Sequence, residues 1–340
     1  MMEFLLISLI KIVIVLLVIL TVVANLVYVE RRVSAFIQNR IGPNRVGPLG
    51  LLQSPADVLK LFIKEDIVPA RANKFLHTLA PIISISVALV TFAVVPFGDT
   101  ITLFGTEVKL MIASVNIGVL YILALTSLGV YGITLSGWSS NNKYSLLGGL
   151  RSSAQLISYE LSMGLSIVGV LMIAGTLRLD EIVKHQSGFA WNAFLTPIGF
   201  ITFVVASFAE TNRLPFDLPE AEPELVGGYH TEYSGMKFGA FFLAEYANMI
   251  TSSALIVTLF LGGWQFPFLD SFGLSPMWMS VVHILTFIVK VGLMLLFYIW
   301  VRWTIPRFRY DQLMNLGWKV MLPLAIMNVV VTGIGILLLT

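Results

Sequence analysis

Between residues 209 and 225 the chain reads Ala-Glu-Thr-Asn-Arg-Leu-Pro-Phe-Asp-Leu-Pro-Glu-Ala-Glu-Pro-Glu-Leu, which sets Glu210, Asp217, Glu220, Glu222 and Glu224 around one arginine, Arg213. Carboxylates this crowded raise one another's pKa, so some of them can hold or pass protons near neutral pH. An acidic loop is ordinarily a solvated face. Here Pro215, Pro219 and Pro223 forbid a simple charged helix, and Phe216 and Leu218 are woven among the acids. That mixture fits a loop folded back into a protein interior, where perturbed carboxylates do proton or ion work.

Further ionisable residues stand inside apolar runs. Glu160 follows Ser158-Tyr159, and Glu245 lies in Phe241-Phe242-Leu243-Ala244-Glu245-Tyr246. A carboxylate at the centre of a membrane helix costs roughly 2.5–3.5 kcal/mol to insert, so Glu160 either serves a function or lies close enough to the interface to reach water. Lys290 has apolar residues for two turns on either side and snorkels poorly from that depth. It is expected to pair with a buried carboxylate, Glu160 or Glu245, or to be neutral; a purely structural ion pair is the alternative. His283 precedes it on the same helical face. His230 beside Glu232 is a possible proton-handling pair, or a histidine simply hydrogen-bonded in a loop. No His/carboxylate set has metal-ligand spacing, so no metal is expected.

The elements that must position these groups are membrane helices. The 340 residues are 57% hydrophobic and 12% charged, about half the charge of a soluble chain. A formal charge of +2 gives no case for nucleic acid. The absence of cysteine excludes thiolate-ligated iron–sulfur clusters, c-type haem and disulfides on this chain. Apolar runs near 4–29, 79–97, 111–136, 154–177, 192–209, 236–262, 281–301 and 319–339 approach the ~20 residues a span needs. The expected fold is therefore all-α, a single polytopic domain over 1–340 with about eight spans. The first run is too long for a signal-peptide core and lacks a basic flank, so it reads as a retained helix.

Loops 30–78, 137–153, 210–235 and 302–318 would share one face. With the adjoining helix ends they collect fifteen lysines and arginines, against Lys109, Arg178 and Lys184 on the other. The positive-inside rule makes the basic face cytoplasmic and puts both termini outside, which in a bacterium would be the periplasmic side of the inner membrane. Trp264, Phe266, Phe268, Phe272 and Trp278 read as an outer aromatic belt. In the first loop, Gly42-Pro43-Asn44 and Gly47-Pro48 demand tight turns. Ser54 is expected to cap a short amphipathic surface helix with Pro55 and Asp57 in its first turn. This loop reads as a cavity wall rather than a purely topogenic segment. The last loop, 300–312, is basic and aromatic, fit to dock a partner, bind lipid headgroups or fix topology.

Together, Glu30-Arg31-Arg32 through Gly42-Pro43-Asn44-Arg45, Asp57 to Leu61, Ser158-Tyr159-Glu160, Ala209 to Arg213, Pro215-Phe216-Asp217, Glu232-Tyr233, Ala244-Glu245-Tyr246 and Pro306 to Gln312 resemble, in order and over essentially the whole chain, the H-subunit family of proton-pumping NADH–quinone oxidoreductase, respiratory complex I. The resemblance implies a membrane subunit that forms much of the quinone chamber and links quinone reduction to proton translocation. It binds no cofactor itself; quinone is the substrate, and FMN and iron–sulfur clusters sit in partner subunits. Other membrane and peripheral-arm subunits and membrane lipids are the implied partners. It assigns Arg31, Gln38, Arg40, Asp57 and Phe241 to quinone binding. Glu160, Glu210, Asp217, Glu220, Glu222, Glu224, Glu232, Glu245 and Lys290 fall to a proton or charge relay, and Arg302, Arg307 and Arg309 to docking of the peripheral arm. Pro223 stands where the family would carry a small polar residue, and it stiffens the loop by removing a backbone donor. An equivalent subunit of an energy-converting hydrogenase and an independent ion-coupled transporter are the alternatives. The arginine-rich cytoplasmic loops favour a docked redox arm over a lone transporter, and the full first loop favours the quinone enzyme over the hydrogenase.

Overall fold

The computed structural model describes residues 2–103, 106–218, 222–267 and 275–339. Among them seven helices are long and apolar enough to cross a membrane. They are α1 (Met2–Ile37), α3 (Lys74–Thr91, continued by a 3-10 turn), α4 (Gly118–Ser139), α5 (Lys143–Ala174), α10 (Gly235–Phe260), α11 (Pro276–Thr304) and the run from α12 (Tyr310–Asn315) through a π-helical turn into α13 (Leu322–Leu339). The eighth expected span is shorter. It is α8 (Pro197–Glu210), preceded by one turn, α7 (Asn192–Leu195), with the break at Thr196 and Pro197. Its 14 residues reach only about 21 Å at 1.5 Å per residue. The short elements α2 (Gln53–Ile63), α6 (Leu179–His185) and α9 (Glu222–Leu225) complete the helices.

Helix ends differ from the limits of the apolar runs because a helix does not stop where hydrophobicity does. α1 continues past Glu30, Arg31 and Arg32 and ends only near Asn39, which is left-handed at φ 52°, ahead of Gly42-Pro43. The loop expected at 137–153 shrinks to 140–142. Asn142 caps α5 by accepting a hydrogen bond from the Tyr144 amide at 2.9 Å, so the polar stretch 143–153 is helical. α2 forms as expected, but Ser54 does not cap it. The helix starts at Gln53, and the Ser54 hydroxyl is buried without a hydrogen-bond partner.

α10 sits at the centre of the bundle, its interior-facing length packed by α1, α2, α3, α8 and α11. α3 and α4 approach so closely that a Cβ on Gly132 would collide with the Ser84 hydroxyl. The outer loops are less plain than their composition implies. An antiparallel hairpin, β1 (Thr100–Leu103) with β2 (Thr106–Lys109), pairs Thr100 with Lys109. The three cations opposite the basic face are all engaged: Lys109 with Asp180 at 3.4 Å, Arg178 with Asp180 at 2.9 Å, and Lys184 with Asp99 at 2.9 Å. The aromatic belt is partial. Phe266 and Trp278 are exposed, whereas Trp264 is a buried core residue near His283. Phe268 and Phe272 lie outside the described residues.

Candidate functional site

The α1 extension carries Glu30 into the bundle, where it is 5% exposed. Arg213, just past the end of α8 and similarly buried, donates from Nη1 to Glu30 at 3.2 and 3.3 Å. Its Nε stands 2.6 Å from Glu245 Oε1, and its guanidinium lies 4.2 Å above the Tyr246 ring. The Tyr246 hydroxyl donates to Glu30 Oε2 at 2.7 Å, and Arg302 from the end of α11 bonds the other Glu30 oxygen. Burial alone would lower the Arg213 pKa, but the Glu245 and Glu30 carboxylates outweigh it and hold the guanidinium charged. The motif around Glu30 and the single arginine among five acids are visible signals in the sequence. Their pairing across the bundle is not.

A second cluster lies one turn back along α8. Glu210 ends that helix with Oε2 buried and lacking a hydrogen-bond partner. It borders a cavity of about 40 Å³ with Thr126, Asn248, Thr251 and Ser252, room for a few waters. The Glu160 carboxylate acts on it electrostatically and accepts a hydrogen bond from the Ser127 hydroxyl. Tyr298 donates to Ser207 at 2.6 Å, near the Glu210 carboxylate. Glu160 is thus mid-bundle, near the middle of α5, and not near its end.

The acidic loop is folded back, held by Gln155, whose amide donates to the carbonyls of Ala209 (2.9 Å) and Phe216 (2.8 Å). Arg307 donates to Asp217 at 3.0 Å, and Arg151 pairs with Glu224 at 2.6 Å. Glu220 lies outside the described residues, as does the side chain of Glu222. Asn142 donates to Glu232 at 2.6 Å. His230 packs against the rings of Tyr229, Phe238 and Phe242, and burial pushes its imidazole down to about 4, which keeps it neutral.

Lys290 pairs with neither Glu160 nor Glu245. Its ammonium donates to the carbonyls of Leu261 (2.6 Å), Gly263 (3.1 Å) and Gln265 (2.6 Å), with the Trp191 ring 4.7 Å away. Helix α10 ends at Phe260, and the carbonyls just beyond that end are ready acceptors for a cation, with no buried carboxylate needed. Lys290→Met should cost about 2–3 kcal/mol through the orphaned acceptors. The expected readout is a lower unfolding midpoint of the purified assembly with quinone reduction per assembled particle unchanged; a fall in proton pumping at full assembly would return the lysine to the relay.

Between α1, α2 and α10 opens a cavity of about 860 Å³. Val23, Val27, Leu61, Phe238, Phe242 and Leu243 form its apolar wall. Glu30, Tyr246, Arg302, Lys60, Lys64 and the Arg31–Asp57 pair, 2.7 Å apart, also line it. Three of the five expected quinone residues do not line it. Gln38 and Arg40 are exposed beyond α1 and bonded to each other at 2.7 Å. Phe241 faces away, edge-on to Tyr229 and Tyr233, because its neighbours 238 and 242 take the cavity side of α10. Of the docking arginines, Arg302 and Arg307 are committed inward to Glu30 and Asp217, and Arg309 is exposed beside Asp311. Among the described residues no group of three or more His, Asp or Glu is placed to hold a metal ion.

A family model described as NADH dehydrogenase matches residues 10–333. The chain is 52% identical to an NADH-quinone oxidoreductase H subunit of Cytophaga hutchinsonii, with 92% of this chain and 91% of that protein aligned. It is 54% identical to NADH-quinone oxidoreductase subunit 8 of Rhodothermus marinus, over 92% of each chain. It is 54% identical to an NADH-quinone oxidoreductase H subunit of Geobacter metallireducens, over 96% of this chain and 95% of that one.

Proposed function

We propose, since this chain belongs to the NADH dehydrogenase family as an H-type membrane subunit of NADH–quinone oxidoreductase, that the cavity between α1, α2 and α10 is the mouth and wall of the quinone chamber. The observation that carries this reading is the cavity's large and mostly apolar lining, interrupted by a few charged and polar side chains, Glu30, Arg31, Asp57, Tyr246 and Arg302 among them. The apolar lining suits an isoprenoid tail, and those polar groups suit a quinone ring with two carbonyls. Electrons come from partner subunits that carry flavin and iron–sulfur clusters; reduction of quinone to quinol takes up two electrons and two protons. Negative charge developing on the ring would attract Arg31 and Arg302 and loosen their hold on Asp57 and Glu30. Glu30 shares Arg213 with Glu245, so the disturbance reaches the end of α8, where Glu210 and Glu160 can exchange a proton beside the small cavity. The chain is a multi-pass membrane protein; the basic face is assigned to the cytoplasm and both termini to the periplasm by the fifteen-to-three charge asymmetry.

The test is to fill the cavity. Ala24→Trp on α1 and Ala240→Trp on α10 each put an indole into the lining. In the intact enzyme either should cut long-tailed quinone reduction about tenfold or more, since packed interiors leave no room beside an indole. NADH oxidation by a soluble acceptor that takes electrons upstream should be unchanged. Full quinone reduction in both variants would place the chamber elsewhere.

A further inference from the structure

His77, on the first turn of α3, is completely buried; neither ring nitrogen meets full hydrogen-bond geometry, and a contact to the Glu232 backbone, the residue before Tyr233, is its weak polar partner. A buried polar ring left this poorly satisfied is uncommon and calls for a reason. Its close aromatic relation is with Tyr233. The two rings lie face to face, centroids 3.9 Å apart and 7° from parallel. Phe241 meets Tyr233 edge-on, at 5.0 Å and 86°. The Tyr233 hydroxyl is 3.3 Å from the Ser139 hydroxyl, and burial pushes the phenol up to about 12, so it stays protonated. Held by imidazole on one face, by Phe241 edge-on and by Ser139 at its hydroxyl, Tyr233 is 6% exposed and is one of the residues lining the 860 Å³ cavity.

We infer that His77 is a positioning residue: it clamps the plane of the Tyr233 ring in the cavity wall and so sets how tightly a flat ring is held against that wall. A parallel pair in this close contact holds its alignment only where other partners fix the second ring. Phe241 and Ser139 are those partners. The segment around Tyr233 needs such a clamp. It is a short turn between the acidic loop and α10, tied down next to the tyrosine by Ser234, whose hydroxyl donates to the Glu65 carbonyl at 2.9 Å. The ring itself would otherwise rotate about χ1 and χ2 into the open cavity. The inference rests on the cavity taking quinone.

The experiment uses the complete enzyme with His77→Phe, His77→Leu and His77→Ala, and measures KM and kcat for a short-tailed quinone. Phenylalanine keeps a flat ring at the same place; leucine fills similar volume without one. His77→Leu and His77→Ala should raise KM about three- to tenfold, the range an aromatic pair contributes, with kcat within about twofold. His77→Phe should stay near the parent. Equal KM for leucine and phenylalanine variants would overturn the clamp, as would a phenylalanine variant as impaired as alanine. Tyr233→Ala and Ala240→Trp serve as controls for the chamber itself. If these also leave KM unchanged, the chamber reading has failed; if they raise KM and His77→Leu does not, only the clamp has. Upstream NADH oxidation by a soluble acceptor reports an intact redox arm for every variant, and the yield of purified complete enzyme reports assembly.

Discussion

Arg213→Met should destabilise the chain by about 3–5 kcal/mol, because it strands the buried Glu245 carboxylate and leaves Glu30 with Arg302 as its remaining cation. The arginine is 3% exposed and is the joint between the end of α8, α1 and α10. Methionine matches its apolar stem, so the loss isolates the charge and its hydrogen bonds. The expected result is a sharply lower yield of assembled complex and an unfolding midpoint depressed by several degrees. The double variant Arg213→Met, Glu245→Gln should recover part of that loss, since it removes the stranded charge. Arg302 cannot substitute. It already serves Glu30 from the other side and is 27% exposed, a weaker and wetter contact. A parental midpoint in the single variant would mean that water reaches the network and that its pairs are worth little.

Glu210→Gln is expected to lower both quinone reduction and proton pumping by roughly tenfold or more, the scale of losing a positioned proton-transfer group, while assembly stays intact. Glutamine is isosteric and neutral. It removes only the ability to exchange a proton. The carboxylate's Oε2 is buried without a hydrogen-bond partner, borders a small, mostly apolar cavity that also holds Thr126, Asn248, Thr251 and Ser252, and feels Glu160. A purely structural carboxylate would be fully bonded, as Glu30 is. Glu210→Asp, which keeps the acid but draws it back by a methylene, should retain intermediate activity. The measurement is NADH-driven proton uptake alongside quinone reduction in sealed vesicles. Normal pumping in Glu210→Gln would take Glu210 off the path, and a defect confined to assembly would make it structural.

Much of the candidate site is legible in the sequence. The run 209–225 stands out by composition, and its folding back follows from Pro215, Phe216 and Leu218, whose side chains need an interior. Arg31 and Asp57, both expected at the cavity, do meet there. Where expectation and structure part, the cause is geometric. A buried cation needs an acceptor, which points Lys290 toward carboxylates. The orphan carbonyls at the end of α10 are an equally good partner, and they are invisible in a list of side chains. Phe238, Phe241 and Phe242 lie within five residues of one another. Which of them faces a cavity depends on the rotation of α10 about its axis. In an apolar helix that rotation is not written in hydropathy.

Composition, run length and charge asymmetry by themselves determined an all-helical membrane chain, its basic face, and which few polar residues had to be explained. They did so because burying backbone and charge in hydrocarbon is costly wherever the helices go. Only the tertiary structure decided that Glu30, Arg213, Glu245 and Tyr246 form one network, that Glu210 stands apart from it beside a cavity, and that α8 is too short to span the bilayer as the others do. Helices that are apolar on every face carry no stripe to mark the inward side. Their crossing points and rotations are set by small-residue contacts such as Gly132 on Ser84, which pack helices together across long stretches of chain.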